Sequence, residues 1–187
     1  MTGIGLLEKR LVVVTGKGGV GKSTVAAALG LRAAGSGRRT IVAEIGGRGG
    51  AGRMFAAGPS APGERELAPG LFTISIDPQE ALEEYLVDQL PARPLATLLG
   101  GSRTFGFLTA ATPGLSELLC IGKVWELAQP RRRSPGARPY DLVILDAPAS
   151  GHGLALLAAP RTFARAARVG PIAHQGTRIH ATLVDPR

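Results

Sequence analysis

Residues Leu11 to Ala34 read LVVVTGKGGVGKSTVAAALGLRAA: an apolar run, a glycine-rich turn with two lysines, and a small-residue stretch of helical composition. Gly16, Gly21, Lys22 and Ser23 meet the spacing G-x-x-x-x-G-K-[ST] of a phosphate-binding loop, and the strand-loop-helix context is the one that spacing requires. Without a Cβ, Gly16, Gly18, Gly19 and Gly21 let the backbone take positive φ and turn its N–H groups inward around a phosphate. A helix starting near Lys22 adds its dipole and free amides to the same anion site. Lys22 is expected on the β- and γ-phosphates, the Ser23 hydroxyl on Mg²⁺, and Thr24 on the α-phosphate. The nucleotide-binding set is therefore Gly16, Lys17, Gly18, Gly19, Val20, Gly21, Lys22, Ser23 and Thr24. Lys17 is left over, because such a loop needs one lysine.

The composition is that of a soluble, cytoplasmic chain. With 187 residues, 44% of them hydrophobic, it can bury one sizeable core. No apolar run reaches the ~18 residues of a membrane span, and MTGIGLLEKR lacks the apolar centre of a signal peptide. The one cysteine, Cys120, excludes an intrachain disulfide and a cysteine cluster for metal. A net charge of +8 comes mostly from arginine, densest in RRRSPGAR at Arg131 to Arg138. That run reads as a solvated loop or as a patch for nucleic acid or an acidic partner. Aromatic residues are too few for base-stacking platforms, so nucleic acid is not the favoured partner.

Apolar strand-like runs alternate with helical segments, the pattern of a parallel, doubly wound α/β sheet. Strands are expected at Leu11 to Val14, Thr40 to Ala43, Leu71 to Ile76 and Leu142 to Leu145. GGRGGAGR after the second strand and AAGPSAPGERELAPG before the third read as loops. In DPQEALEEYL, Asp77 is placed as an N-cap, with Pro78 at the first helical position and Glu80 completing a capping box. Helical signals continue through PLATLLGG, TFGFLTAA and PGLSELLCIGKVWELAQ, with Leu115, Leu118, Leu119 and Trp125 near one face. These predict a helical lobe over about residues 77–130, set within one domain spanning 1–187.

The fourth strand carries the second chemical motif, YDLVILDAPASGHG. An apolar strand ending in Asp146 is a Walker B strand, whose carboxylate beside the phosphate loop can hold Mg²⁺ through water. Gly151 follows where a backbone N–H can sense the γ-phosphate and move on hydrolysis. His174 and His180 are expected at the surface.

The doubled lysine in GKGGVGKST resembles the deviant Walker A loop of the ParA, MinD and ArsA/Get3 group of dimeric ATPases. More narrowly, LFTISIDPQEALEEY, TPGLSELL and DAPASGHGLALLAAPRTF resemble the ArsA/Get3 family of anion-transporting or tail-anchored-protein-targeting ATPases, from about Leu11 to Thr162. The resemblance implies that Lys17 crosses a dimer interface to the partner's nucleotide, that Lys17, Lys22 and Asp146 serve catalysis, and that ATP and Mg²⁺ are the cofactors. It places His152 in a switch segment, where it can equally orient the loop by hydrogen bonding. Three departures stand out. Gly46 in EIGGRGG occupies the place of an aspartate that positions the attacking water, with Glu44 before it. Paired cysteines for arsenite or zinc are absent. The family's proteins are longer, so the chain reads as an N-terminal portion.

The resulting expectation is an ATPase whose homo- or heterodimer closes on Mg-ATP and reopens on hydrolysis, coupled to a cargo or membrane partner that the sequence does not name. A ParA/MinD-like positioning ATPase and a nucleotide-gated binding module with little hydrolysis stand as alternatives.

Overall fold

The computed structural model describes residues 5–46, 50–55, 63–89, 102–133, 136–166 and 171–185. Its strands are β1 (Leu11–Gly16), β2 (Thr40–Ile45), β3 (Arg65–Ala68), β4 (Leu71–Ile76) and β5 (Leu142–Ala149). Its α-helices are α1 (Lys22–Ala34), α2 (Gly50–Met54), α3 (Pro78–Gln89), α4 (Ser102–Ala111), α5 (Leu115–Leu127), α6 (Ser150–Ala166) and α7 (Pro171–Val184). The sheet order is β1-β5-β2-β4-β3, with β5 parallel to both β1 and β2, and β3 antiparallel to β4. This is the mainly parallel sheet of a P-loop nucleoside-triphosphatase fold, with α3, α4 and α5 inserted in sequence before β5.

The chain divides into two compact units, one of Met1–Ser75, Val124–Gly153 and Pro186–Arg187, the other of Ile76–Lys123 and Leu154–Asp185. In the first, β2 and β5 are near-continuous apolar runs because they are covered on both faces: Ile41, Val42, Ala43 and Leu142 to Leu145 are fully buried. On α1 the buried residues are Ala26, Ala27, Gly30 and Ala33, a helical stripe of small side chains. Small residues bring the helix axis close to the sheet, and a Cβ at Gly30 would stand 2.9 Å from Leu71 Cδ1 and 3.0 Å from Val42 Cγ2. Because α1 follows directly from the glycine-rich turn, this contact fixes where that turn begins.

In the second unit, Asp77 accepts hydrogen bonds at Oδ1 from the backbone N–H of Gln79 (2.8 Å) and Glu80 (3.2 Å), the expected N-cap of α3. Gly114, at φ 86°, allows α4 and α5 to meet at 109°. A Cβ at Gly176 of α7 would stand 2.9 Å from the carbonyl oxygen of Pro160 in α6, so only glycine allows that approach. No single helix among the described residues is long and apolar enough to cross a membrane.

Several sequence expectations need correction. β3 lies inside AAGPSAPGERELAPG and α2 takes up the second half of GGRGGAGR together with Met54, where both stretches were expected to be loops. β3 exists because Pro69 and Gly70, the latter at φ 76°, fold it back antiparallel onto β4. β1, β2 and β5 run two to four residues past their apolar cores, to Gly16, Ile45 and Ala149. PLATLLGG lies outside the described residues. Nor is the arginine run uniformly solvated. The Arg132 side chain is fully buried, donating from Nε to Glu126 Oε1 (2.9 Å) and pairing with Glu64, whose other oxygen accepts from Tyr140 (2.6 Å). Burial alone would lower the Arg132 pKa, but these two carboxylates more than offset it and raise it. Burial, then Glu64, raises that of Tyr140.

Candidate functional site

Three parallel strands end together where the chemistry is expected. In register, Val14 of β1 lies opposite Asp146 of β5, and Asp146 lies opposite Glu44 of β2. Ligands of open α/β sheets bind outside the carboxyl ends of such strands.

The loop after β1 turns through positive φ at Gly16 (153°), Gly19 (78°) and Gly21 (88°), the last being the left-handed N-cap residue of α1. Gly18 has neither positive φ nor any atom within 4 Å of where a Cβ would stand, so conformational need applies to three of the four glycines. No side chain caps α1, and its first turn holds no acidic residue, so no carboxylate of that turn competes with an anion for its leading amides. The Lys22 ammonium folds back over the loop to donate to the Lys17 carbonyl (3.2 Å), and the Lys22 stem passes 4.0 Å from where a Gly16 Cβ would be. Lys17 itself is exposed, as are Gly18, Gly19, Val20 and Thr24.

Ser23 and Asp146, 123 residues apart in sequence, are in direct contact: Ser23 Oγ donates to Asp146 Oδ2. That bond joins the hydroxyl and the carboxylate expected to hold Mg²⁺. Among the described residues no three His, Cys, Asp or Glu side chains cluster as a metal cage. A hydroxyl beside a carboxylate, with few protein ligands, suits Mg²⁺, which keeps several waters and takes phosphate oxygens for the rest.

Three residues join the site that its motifs did not single out. Glu44 is buried, 5% exposed, and its Oε2 accepts from the N–H of Gly50 (2.7 Å). A Cβ on Gly50 would stand 3.1 Å from Ser23 Oγ and 3.6 Å from Glu44 Oε1. The sequence signal for Glu44 was a carboxylate closing an otherwise apolar buried strand. Gly153 is the third addition: a Cβ there would stand 3.0 Å from Thr15 Oγ1, so the start of α6 approaches the loop strand closely. Gly151 lies in the first turn of α6, exposed, with open space around it, and the neighbouring His152 is exposed. Gly46 sits just past β2 at φ 88° and brings no carboxylate. His174 is exposed and His180 partly so. Cys120 is buried, and desolvation, then the charges of Asp77 and Glu117, push its thiol up to about 12.

The sequence pattern of the anion-transporting ATPases, the ArsA type, matches residues 9–175. The chain belongs to that family. It is similar to the ATPase BagA of Mycobacterium tuberculosis, 33% identical over 169 residues, covering 87% of this chain and 49% of that protein. It is also similar to the Arabidopsis thaliana ATPases GET3B (29% identical, 82% of this chain, 40% of that protein) and GET3C (26%, 82% and 42%). The chain thus spans half or less of the length of these family members.

Proposed function

We propose that the protein binds Mg-ATP at the loop Gly16 to Thr24 and hydrolyses it as a dimeric switch of the ArsA/Get3 type, homo- or heterodimeric, coupled to a cargo or membrane partner. The observation that carries this reading is the Ser23–Asp146 hydrogen bond, formed between the phosphate-binding loop and the strand beside it. Family membership supports it independently.

The roles follow from charge and position. Loop amides and the α1 N-terminus hold the phosphates. Lys22, released from the Lys17 carbonyl, neutralises the β- and γ-phosphate oxygens. Ser23 would hold Mg²⁺ directly and Asp146 through water. When bound, the ion supplies charge neutralisation where negative charge develops on the transferred phosphoryl. Lys17 is exposed at the loop surface and is assigned to the partner's nucleotide. Gly151, at the head of α6, is assigned to sensing the γ-phosphate.

Gly46 supports a second reading, in which the protein closes on ATP but turns over slowly, because no side chain at that position can orient the attacking water. Steady-state phosphate release measured beside light scattering with a non-hydrolysable ATP analogue separates the two. The dimeric switch requires that Lys17→Ala keep ATP binding but lose both ATP-dependent dimerisation and turnover. A monomeric Lys17→Ala protein that hydrolyses as fast as the parent contradicts it.

A further inference from the structure

We infer that the sheet edge opposite the Ser23–Asp146 site is a docking surface for an anionic lipid bilayer, its arginines meeting lipid phosphates and two exposed leucines entering the layer beneath. The inference stands apart from the nucleotide reading. Because β5 is parallel to both β1 and β2, the segments that precede the three strands converge on one edge. Residues 5–10 bring Lys9 and Arg10, residues 35–39 bring Arg38 and Arg39, and residues 128–141 bring the run Arg131 to Arg138. β5 lies between the other two strands, so its arginine run is flanked by both basic pairs. The only carboxylates in these three segments are Glu8 and Asp141. Scattered along the chain, these charges become one surface through strand order.

The fold holds several of these charges in place. Arg38 ties the three segments together, donating to the carbonyls of Leu7, Lys9 (3.3 Å) and Asp141 (2.5 Å). Arg10 Nε donates to the Ala128 carbonyl (3.1 Å), and Arg39 stacks on Phe72 with its Cζ 3.9 Å from the ring centroid. Those partners are uncharged, so the guanidiniums are positioned without being neutralised by them. Arg131 and Arg138 are exposed. Beside this charge stand two large apolar side chains: Leu6, 55% exposed in the short 3₁₀ helix Leu6–Glu8, and Leu31, 49% exposed one turn before the end of α1. Basic residues next to exposed leucines suit a charged interface with an apolar layer below it. Among the described residues, the three segments offer no exposed aromatic ring on which a nucleic-acid base could stack.

The test is co-sedimentation with vesicles of phosphatidylcholine alone and of phosphatidylcholine mixed equally with phosphatidylglycerol. The protein should bind the anionic vesicles, come off as salt rises, and ignore the neutral ones. Arg131→Gln should weaken binding roughly fivefold and the double change with Arg138→Gln roughly twenty-five-fold, since each basic residue near such a surface contributes about 1 kcal/mol. Leu6→Gln and Leu31→Gln should each weaken it without altering its salt dependence. Lys17→Gln removes an exposed charge at the other end of the same strands and should bind like the parent. The inference fails if the protein binds neither vesicle, or if Lys17→Gln weakens binding as much as Arg131→Gln. Tighter binding to duplex DNA than to the anionic vesicles, reduced by the arginine changes and indifferent to the leucine changes, would make this a nucleic-acid surface and overturn the bilayer assignment.

Discussion

Gly30 lies where α1 crosses the sheet, and Gly30→Val is expected to destabilise the fold by at least about 3 kcal/mol. A Cβ at this position meets Leu71 Cδ1 at 2.9 Å and Val42 Cγ2 at 3.0 Å, with Ile144 Cδ1 at 3.8 Å. All three neighbours are fully buried, so none can swing into solvent to make room. Inserting carbon into such a core costs roughly 1–3 kcal/mol, and an alanine would recover about 1 kcal/mol through helix propensity. Alanine is therefore nearly tolerated. Valine adds two further methyls, and its β-branch forfeits most of the helical gain. For a chain of this size each kcal/mol lowers the melting temperature by roughly 2–4 °C, so the loss should be about 6 °C or more. Thermal unfolding by circular dichroism, with a urea midpoint as a check, measures it. The consequence is functional as well, because α1 carries Lys22 and Ser23 at its start. A Gly30→Val protein melting within about 1 °C of the parent would mean that α1 does not press on Val42 and Leu71, and the position derived for the loop would fail.

Arg132→Ala should destabilise by about 3–5 kcal/mol, because it removes the guanidinium that pairs with the buried Glu126 carboxylate; a urea midpoint close to the parent's would refute the buried pair. Cys120 gives a pH signature: its thiol stays protonated in the fold up to about 12 but ionises near its ordinary value of 9.0 when unfolded. Stability should therefore fall between pH 9 and 12 by about 1.4 kcal/mol per unit from this group, and Cys120→Ala should lose that part of the slope in paired denaturation curves. Arsenite or antimonite should not stimulate ATP turnover, since soft metalloid capture needs several thiolates and Cys120 is the one cysteine, buried; stimulation abolished by Cys120→Ala would contradict this.

The parts legible in the sequence were those whose local chemistry is self-sufficient. The glycine turn before Lys22, the apolar strand ending at Asp146 and the Asp77 cap each declare themselves within a few residues. β3 and α2 did not, because RELA and GAGRM have weak intrinsic preference and take their structure from partners: β4 for the first, Glu44 and Ser23 for the second. The polar ends of β1 and β5 were missed for a related reason. Strand ladders continue past the apolar run to present Gly16 and Ala149 in register, and hydrophobic periodicity has no signal there. Arg132 stands in a run that looks solvated, and only the fold brings Glu64 and Glu126 to it from 68 and 6 residues away. Glu44 shows the same dependence on the fold, as its proximity to Ser23 and Asp146 is a property of strand order.

The central claim is that the loop Gly16 to Thr24 holds the phosphates of ATP, and calorimetric titration with Mg-ATP of the parent and of Lys22→Ala tests it most directly. The ammonium that now rests on the Lys17 carbonyl is expected to supply a charge-assisted phosphate contact. Its removal should weaken binding by at least about 2 kcal/mol, roughly thirtyfold in affinity. Equal affinities for the two proteins, both folded, would contradict the claim.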